Sequence, residues 1–241
     1  MSGVLFVCAT PIGHLEDVSL RLLATLREAH AVLAEDTRQT QKLLARHEIT
    51  VPLISCHQHT SPGKIEALAE RLASGECFAL VTDAGTPGVS DPGPPLVLAA
   101  AARGVTVSPI PGPCALAAAL SVCGFDAQRF SFVGFLPRKP GKRRKALEAA
   151  VSRGETVILY ESPHRVVATL RDLAIVAPGI GVCACRELTK KFEESRRGPV
   201  EEVLKHFATQ KEVRGEFAIA IAPYHLSLDA GQTDIEQDDD E

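Results

Sequence analysis

A chain of 241 residues is long enough to bury one or two cores, which excludes a disulfide-stapled miniprotein, and 45% hydrophobic with 23% charged residues excludes a mostly disordered chain. Lys and Arg total 26 against 30 Asp and Glu, a formal charge of −4 that, taken whole, argues against a nucleic-acid partner. The sum hides three unlike segments: residues 1–125 hold 8 basic and 11 acidic side chains, residues 126–228 hold 18 and 12, and residues 229–241 hold none and 7.

In chain order, an apolar run at 4–9 reads as a strand, followed by a helix from about Leu20 to Ala29 with Asp17 or Ser19 as its cap. The alternation continues with strand 31–34, helix 40–46, strand 53–55, helix 64–73, strand 78–81, helix 96–103 and strand 105–110. This is the pattern that builds a mostly parallel sheet. Pro109-Ile110-Pro111-Gly112-Pro113 makes a stiff connection. The domain boundary is placed there, giving an N-terminal α/β domain 1–111, a C-terminal α/β domain 112–226 and an acidic tail 227–241. The second domain reads as helix 115–121, strand 130–135, a basic segment, helix 144–151, strand 156–160, helix 166–176, strand 181–186, helix 200–208 and strand 216–222.

Seven Cys with no CxxC, and no secretory signal, suggest free thiols in a reducing cytoplasm. The longest apolar stretches fall far short of the ~20 residues that span a bilayer. Cys56-His57-Gln58-His59 and Cys183-x-Cys185 are poor metal patterns, so no metal is expected. With no Trp and 5% aromatics there is no RNP-like stacking pattern either.

The densest chemical signal is the run 82–93, Thr-Asp-Ala-Gly-Thr-Pro-Gly-Val-Ser-Asp-Pro-Gly, directly after an apolar strand. Ligands of open α/β sheets bind beyond the carboxyl ends of the strands, and glycines there let backbone approach a ligand closely. Thr10-Pro11-Ile12-Gly13 and Pro111-Gly112-Pro113-Cys114 are two further loops at strand ends, able to line the same crevice. No GxGxxG or Walker sequence is present. Charged groups at other strand ends, 35–38, 160–165 and 186–191, read equally well as cleft residues or as surface ion pairs. Six of the eight residues 138–145 are basic, which fits either phosphate contacts or a solvated face.

Taken together and in this order, Ala9-Thr10-Pro11-Ile12-Gly13, Ala34-Glu35-Asp36-Thr37-Arg38, the run 83–93, the run 109–114, Gly134-Phe135-Leu136-Pro137, Tyr160-Glu161-Ser162-Pro163-His164-Arg165 and Arg186-Glu187-Leu188-Thr189-Lys190 resemble the tetrapyrrole methylase superfamily. Within it they resemble the branch that methylates small-subunit rRNA. The resemblance spans residues 4–221 and departs from the branch at His14 and at His57-Gln58-His59-Thr60.

It implies a two-domain α/β fold that is not Rossmann-type, with S-adenosyl-L-methionine in a cleft between the domains. It implies 2′-O-methylation of a cytidine in the 16S rRNA decoding centre by a cytoplasmic homodimer. By the same resemblance Pro11, Asp83, Ala84, Gly85, Thr86, Cys114, Ala115, Tyr160 and Leu188 hold the cofactor. Glu187, Lys190 and Arg165 serve the acceptor, and Arg38, His57, Arg138, Lys139, Lys142, Arg143 and Arg144 contact RNA. A methylase of a small tetrapyrrole, or a non-catalytic RNA-binding protein of ribosome assembly, are the competing readings.

Overall fold

The computed structural model describes residues 3–223, and the acidic tail lies outside them. The described residues form two compact units, one of residues 3–121 with Glu187–Glu193, the other of Val122–Arg186 with residues 194–223. The proline-rich connection at 109–113, where the sequence reading put the boundary, lies within the first unit.

The first unit carries a five-stranded parallel sheet of β1 (Val4–Cys8), β2 (Ala31–Ala34), β3 (Leu53–Ser55), β4 (Phe78–Val81) and β5 (Thr106–Ile110), in the order β3-β2-β4-β1-β5. Its inner strands are apolar on both faces because helices cover both. Leu5, Leu33, Phe78 and Leu80 pack toward α3 (Pro62–Ala73) and α4 (Pro94–Ala101). Cys8, Val32, Ala79 and Val81 pack toward α1 (Leu20–Glu28) and α2 (Thr37–Arg46). Pro109 continues β5 rather than ending it, because β5 is an edge strand and a missing N–H costs little there.

Several helices begin earlier than periodicity suggested. Asp36 caps α2 by accepting from the Arg38 N–H at 2.9 Å, and Ser61 caps α3 ahead of Pro62. Proline is tolerated in a first turn, whose N–H groups have no partner anyway, so α3, α4 and α6 (Pro140–Val151) all open on one. Of the two caps proposed for α1, Ser19 takes the role, accepting from the Leu22 N–H.

The second unit's sheet has the order β6-β7-β10-β8-β9, from β6 (Phe130–Phe135), β7 (Thr156–Glu161), β8 (Gly181–Arg186), β9 (Glu194–Pro199) and β10 (Phe217–Ile221). It is mixed: β6 and β7 are parallel, while β10 runs antiparallel to β7 and β8, and β9 to β8. The sequence reading missed β9, whose residues Glu-Ser-Arg-Arg-Gly-Pro lack apolar alternation because this edge strand is largely exposed. One face of the sheet packs on α6, α7 (Val166–Val176) and α8 (Val200–Ala208) through Leu147, Leu159, Leu170, Val182, Phe207 and Ile219. No helix among the described residues is long and apolar enough to cross a membrane.

Candidate active site on the first unit

β1 and β4 are neighbours whose chains leave to opposite sides of the sheet. After β1, α1 packs with Leu22 and Leu26 on one face; after β4, α4 packs with Leu96 and Ala100 on the other. Such a switch point opens a crevice beyond the strand ends. The loops there are bonded into one structure. Thr10 N–H donates to Gly85 O at 2.9 Å, and Gly85 N–H returns a bond to Thr10 O at 3.1 Å. The buried Thr10 hydroxyl reaches Thr82 O at 3.2 Å, and the Thr86 hydroxyl reaches Pro113 O at 3.1 Å. Gly85 takes φ +83°, which a side-chain-bearing residue rarely adopts.

Beside these loops lies a cleft of about 610 Å³, within the size range of small-molecule sites. Ile12, Val18, Pro113, Cys114, Ala117 and Ala118 make its lining mainly apolar, and Asp17, Ser19, Ser121 and Thr189 add polar atoms. Of the nine residues assigned to the cofactor from sequence, Cys114 lines this cleft. Pro11, Gly85, Thr86 and Ala115 lie in or directly after the loops that frame it. Asp17, Val18, Ser19 and Ser121 were missed. Asp17 and Ser19 look like ordinary helix caps in sequence, and Ser121 looks like part of a small-residue helix.

Glu187–Glu193 forms a strap on this unit. Glu187 and Thr189 take φ +50° and +65°, a conformation costly for residues with side chains and held only by surrounding contacts. Thr189 N–H donates to Glu193 Oε2 at 2.7 Å, and its hydroxyl accepts from the His14 N–H at 3.1 Å. Gly13 sits under the strap, and a Cβ there would stand 2.4 Å from Lys190 Cγ and 2.7 Å from Thr189 Oγ1. Lys190 Nζ pairs with Glu187 Oε1 at 2.9 Å, so two of the three residues assigned to the acceptor are bonded to each other. Leu188, between them, is half-buried.

Asp83 and Ala84 are exposed at the end of β4. Asp83 Oδ1 accepts from the Asp36 N–H at 2.9 Å. Beside it, burial and then the Asp83 charge push the Glu35 carboxyl upward. Asp36 is pulled down to about 2 by the bonds from Arg38, first from its side chain and then from its backbone. Arg38 forks onto Asp36 at 2.6–3.2 Å while staying exposed. His57 lies beyond β3 in a turn closed by its N–H to the Thr60 hydroxyl at 2.8 Å.

The remaining assigned residues belong to the second unit. Arg165 pairs with the buried Glu161 at 3.3 Å and donates through Nη2 to Leu136 O at 2.6 Å, so it braces the chain after β6. Tyr160 stands edge-to-face with Phe132 and Phe135. Arg138, Lys139, Lys142 and Arg144 are exposed at the start of α6. Arg143 is not, which corrects its assignment to an RNA-facing surface. Its side chain is 6% exposed and pairs with Asp172 at 2.6 Å, because its helical position turns it toward α7. Among the described residues no His, Cys, Asp and Glu groups cluster as a metal site.

The family model for Tetrapyrrole (Corrin/Porphyrin) Methylases matches residues 4–204. A relative from Halalkalibacterium halodurans, Ribosomal RNA small subunit methyltransferase I, is 45% identical over 91% of this chain and 75% of its own. Proteins of the same name from Bacillus subtilis and Thermotoga maritima are 43% and 41% identical, covering 91% of this chain and 75% and 98% of theirs. The chain belongs to the ribosomal RNA small subunit methyltransferase I branch of the tetrapyrrole methylases.

Solved structures share the fold at lower identity. Diphthine synthase matches with a TM-score of 0.70 at 17% identity, covering 92% of this chain and 90% of that one. Uroporphyrin-III C-methyl transferase from Thermus thermophilus, solved with S-adenyl homocysteine, matches at 0.63 and 22%, covering 92% and 98%. The absence of GxGxxG from the sequence agrees with this fold.

Proposed function

We propose that this chain transfers a methyl group from S-adenosyl-L-methionine to the ribose 2′-oxygen of a cytidine in the 16S rRNA decoding centre, as a cytoplasmic homodimer. The observation that carries this reading is the 45% identity, over 91% of the chain, to a relative named Ribosomal RNA small subunit methyltransferase I. The crevice on the first unit supports it. Its size suits a nucleoside, its apolar lining suits an adenine ring and a thioether, and glycines frame it.

In this reading Cys114 and the loops at Pro11, 83–86 and 112–115 hold the cofactor, and the Asp83 carboxylate accepts bonds from its hydroxyl or amino groups. When bound, the cofactor supplies an electrophilic methyl group. The residues of the chain orient the acceptor oxygen in line with it and keep water out, which is where most of the acceleration of such a transfer arises. Glu187 accepts the hydrogen bond of the acceptor hydroxyl and takes its proton as the methyl group is transferred, and Lys190, 2.9 Å away, fixes that carboxylate in direction. The exposed cations Arg138, Lys139, Lys142 and Arg144 engage RNA phosphates.

The test is transfer of labelled methyl from S-adenosylmethionine to small ribosomal subunits, to naked 16S rRNA and to a porphyrinoid. Label on either RNA acceptor, released as a 2′-O-methylnucleoside, is expected. Label on the porphyrinoid alone overturns the reading.

A further inference from the structure

The geometry points to a stacking platform for an unpaired RNA base on the second unit, built from Phe135, Tyr160 and Phe132. This rests on the RNA reading above and adds to it a site for one nucleotide. Phe135 closes β6, an edge strand of its sheet, with 57% of its surface exposed. Its ring centroid stands 5.9 Å from that of Tyr160, and Tyr160 stands 4.8 Å from Phe132, both pairs edge-to-face at 65°. A herringbone of this kind fixes each ring by its neighbour and leaves the outer face of the last ring uncovered.

The chain goes out of its way to put Phe135 there. β6 pairs in register with β7 from Phe130↔Thr156 to Phe132↔Ile158, then slips so that Phe135 stands opposite Tyr160. With strict alternation, residue 135 would share the face of Val133, which packs against the helices. The one-residue bulge, made where Gly134 takes φ +60°, returns Phe135 to the face of Phe132 and Tyr160. Directly afterwards, Arg165 holds Leu136 O at 2.6 Å and Pro137 O at 3.4 Å, so the position of the ring is set before any ligand arrives.

The surroundings say which ligand. Arg138, Lys139, Lys142, Arg144 and Lys145 are all exposed within ten residues of Phe135, and no acidic residue occurs between Phe135 and Glu148. Cations that follow an exposed aromatic ring along the chain supply the two parts a single-stranded nucleic acid uses: phosphates on the charges, a base on the ring. A base that must present its ribose to an enzyme has to leave its own stack first, and a ring that receives it offsets that loss.

The test uses the full chain, a single-stranded oligocytidylate of ~12 nucleotides containing one 2-aminopurine, and small ribosomal subunits. Phe135→Leu keeps apolar volume and removes the ring. It is expected to weaken oligonucleotide binding about tenfold and to abolish the 2-aminopurine quenching. S-adenosylmethionine affinity, thermal midpoint and the slope of binding against salt should stay unchanged. Phe135→Trp is expected to restore binding and quenching, and Lys142→Glu to lower the salt slope while keeping the quenching. Equal binding and quenching by wild type and Phe135→Leu overturn the platform and leave the RNA reading standing. A wild-type chain that neither binds the oligonucleotide nor methylates subunits overturns both. A change in oligomeric mass with Phe135→Leu, without a change in RNA binding, assigns the patch to a protein contact and overturns the platform.

Discussion

Arg143 turns inward from α6 and shares Asp172 of α7 with Arg144, whose Nε donates to Asp172 Oδ1 at 2.8 Å. Burial alone would raise the Asp172 carboxyl, but the bonds from Arg144 and Arg143 outweigh it and hold the group below its ordinary value. Replacing Arg143 with Met removes one of the two guanidinium partners of this buried carboxylate and leaves Arg144 as the other, which should cost about 1.5–3 kcal/mol in chemical unfolding. Lys142→Glu, one position away and exposed, should leave stability unchanged. Because the folded Asp172 sits below its unfolded value, its stabilisation is complete above the ordinary carboxylate range and is lost as pH falls through the folded value. The stability gap between wild type and Asp172→Asn should therefore be constant near neutrality and close only in strong acid, as followed by urea unfolding against pH. A gap that closed near pH 6 would contradict the pairing. At the crevice, Asp83→Ala should weaken S-adenosylmethionine binding about ten- to a hundredfold by calorimetry, the loss of a charge-assisted bond. Unchanged binding would remove Asp83 from the cofactor site.

At the scale of elements, the strap and the loops explain why the site was only partly legible. The Gly/Pro loops after β1, β4 and β5 announce themselves because glycine and proline are written into the sequence, and the structure bonds Thr10 to Gly85 and Thr86 to Pro113 as one frame. The parallel sheet was legible too, since its inner strands β2 and β4 are buried on both faces and read as unbroken apolar runs. β9 was not, because an exposed edge strand carries no apolar signature. The role of Gly13 was hidden as well: it depends on residues 188–190, far along the chain, settling on it. Gly13→Ala should displace the strap rather than unfold the unit, overpacking of this kind costing ~1–3 kcal/mol. Methyl transfer is expected to fall about tenfold or more while the thermal midpoint moves by no more than a few degrees. A fully active Gly13→Ala would mean the strap need not dock there.

For the whole molecule, the formal charge of −4 conceals a positive excess in residues 126–228 and an acidic run in 229–241. If the acidic run repels RNA from the cations of α6, removing residues 229–241 should raise RNA affinity at low salt and lose that effect as ionic strength rises. Equal affinity of the shortened chain at low salt would make the run a bystander. The destination of the methyl group is tested most directly by treating small ribosomal subunits that lack 2′-O-methylation with the protein and S-adenosylmethionine, then mapping 2′-O-methyl groups along 16S rRNA at nucleotide resolution. A single new 2′-O-methylcytidine in the decoding centre, absent without protein and reduced with Glu187→Gln, is the predicted result. Methylation on a base, at scattered riboses, or outside the decoding centre would contradict it.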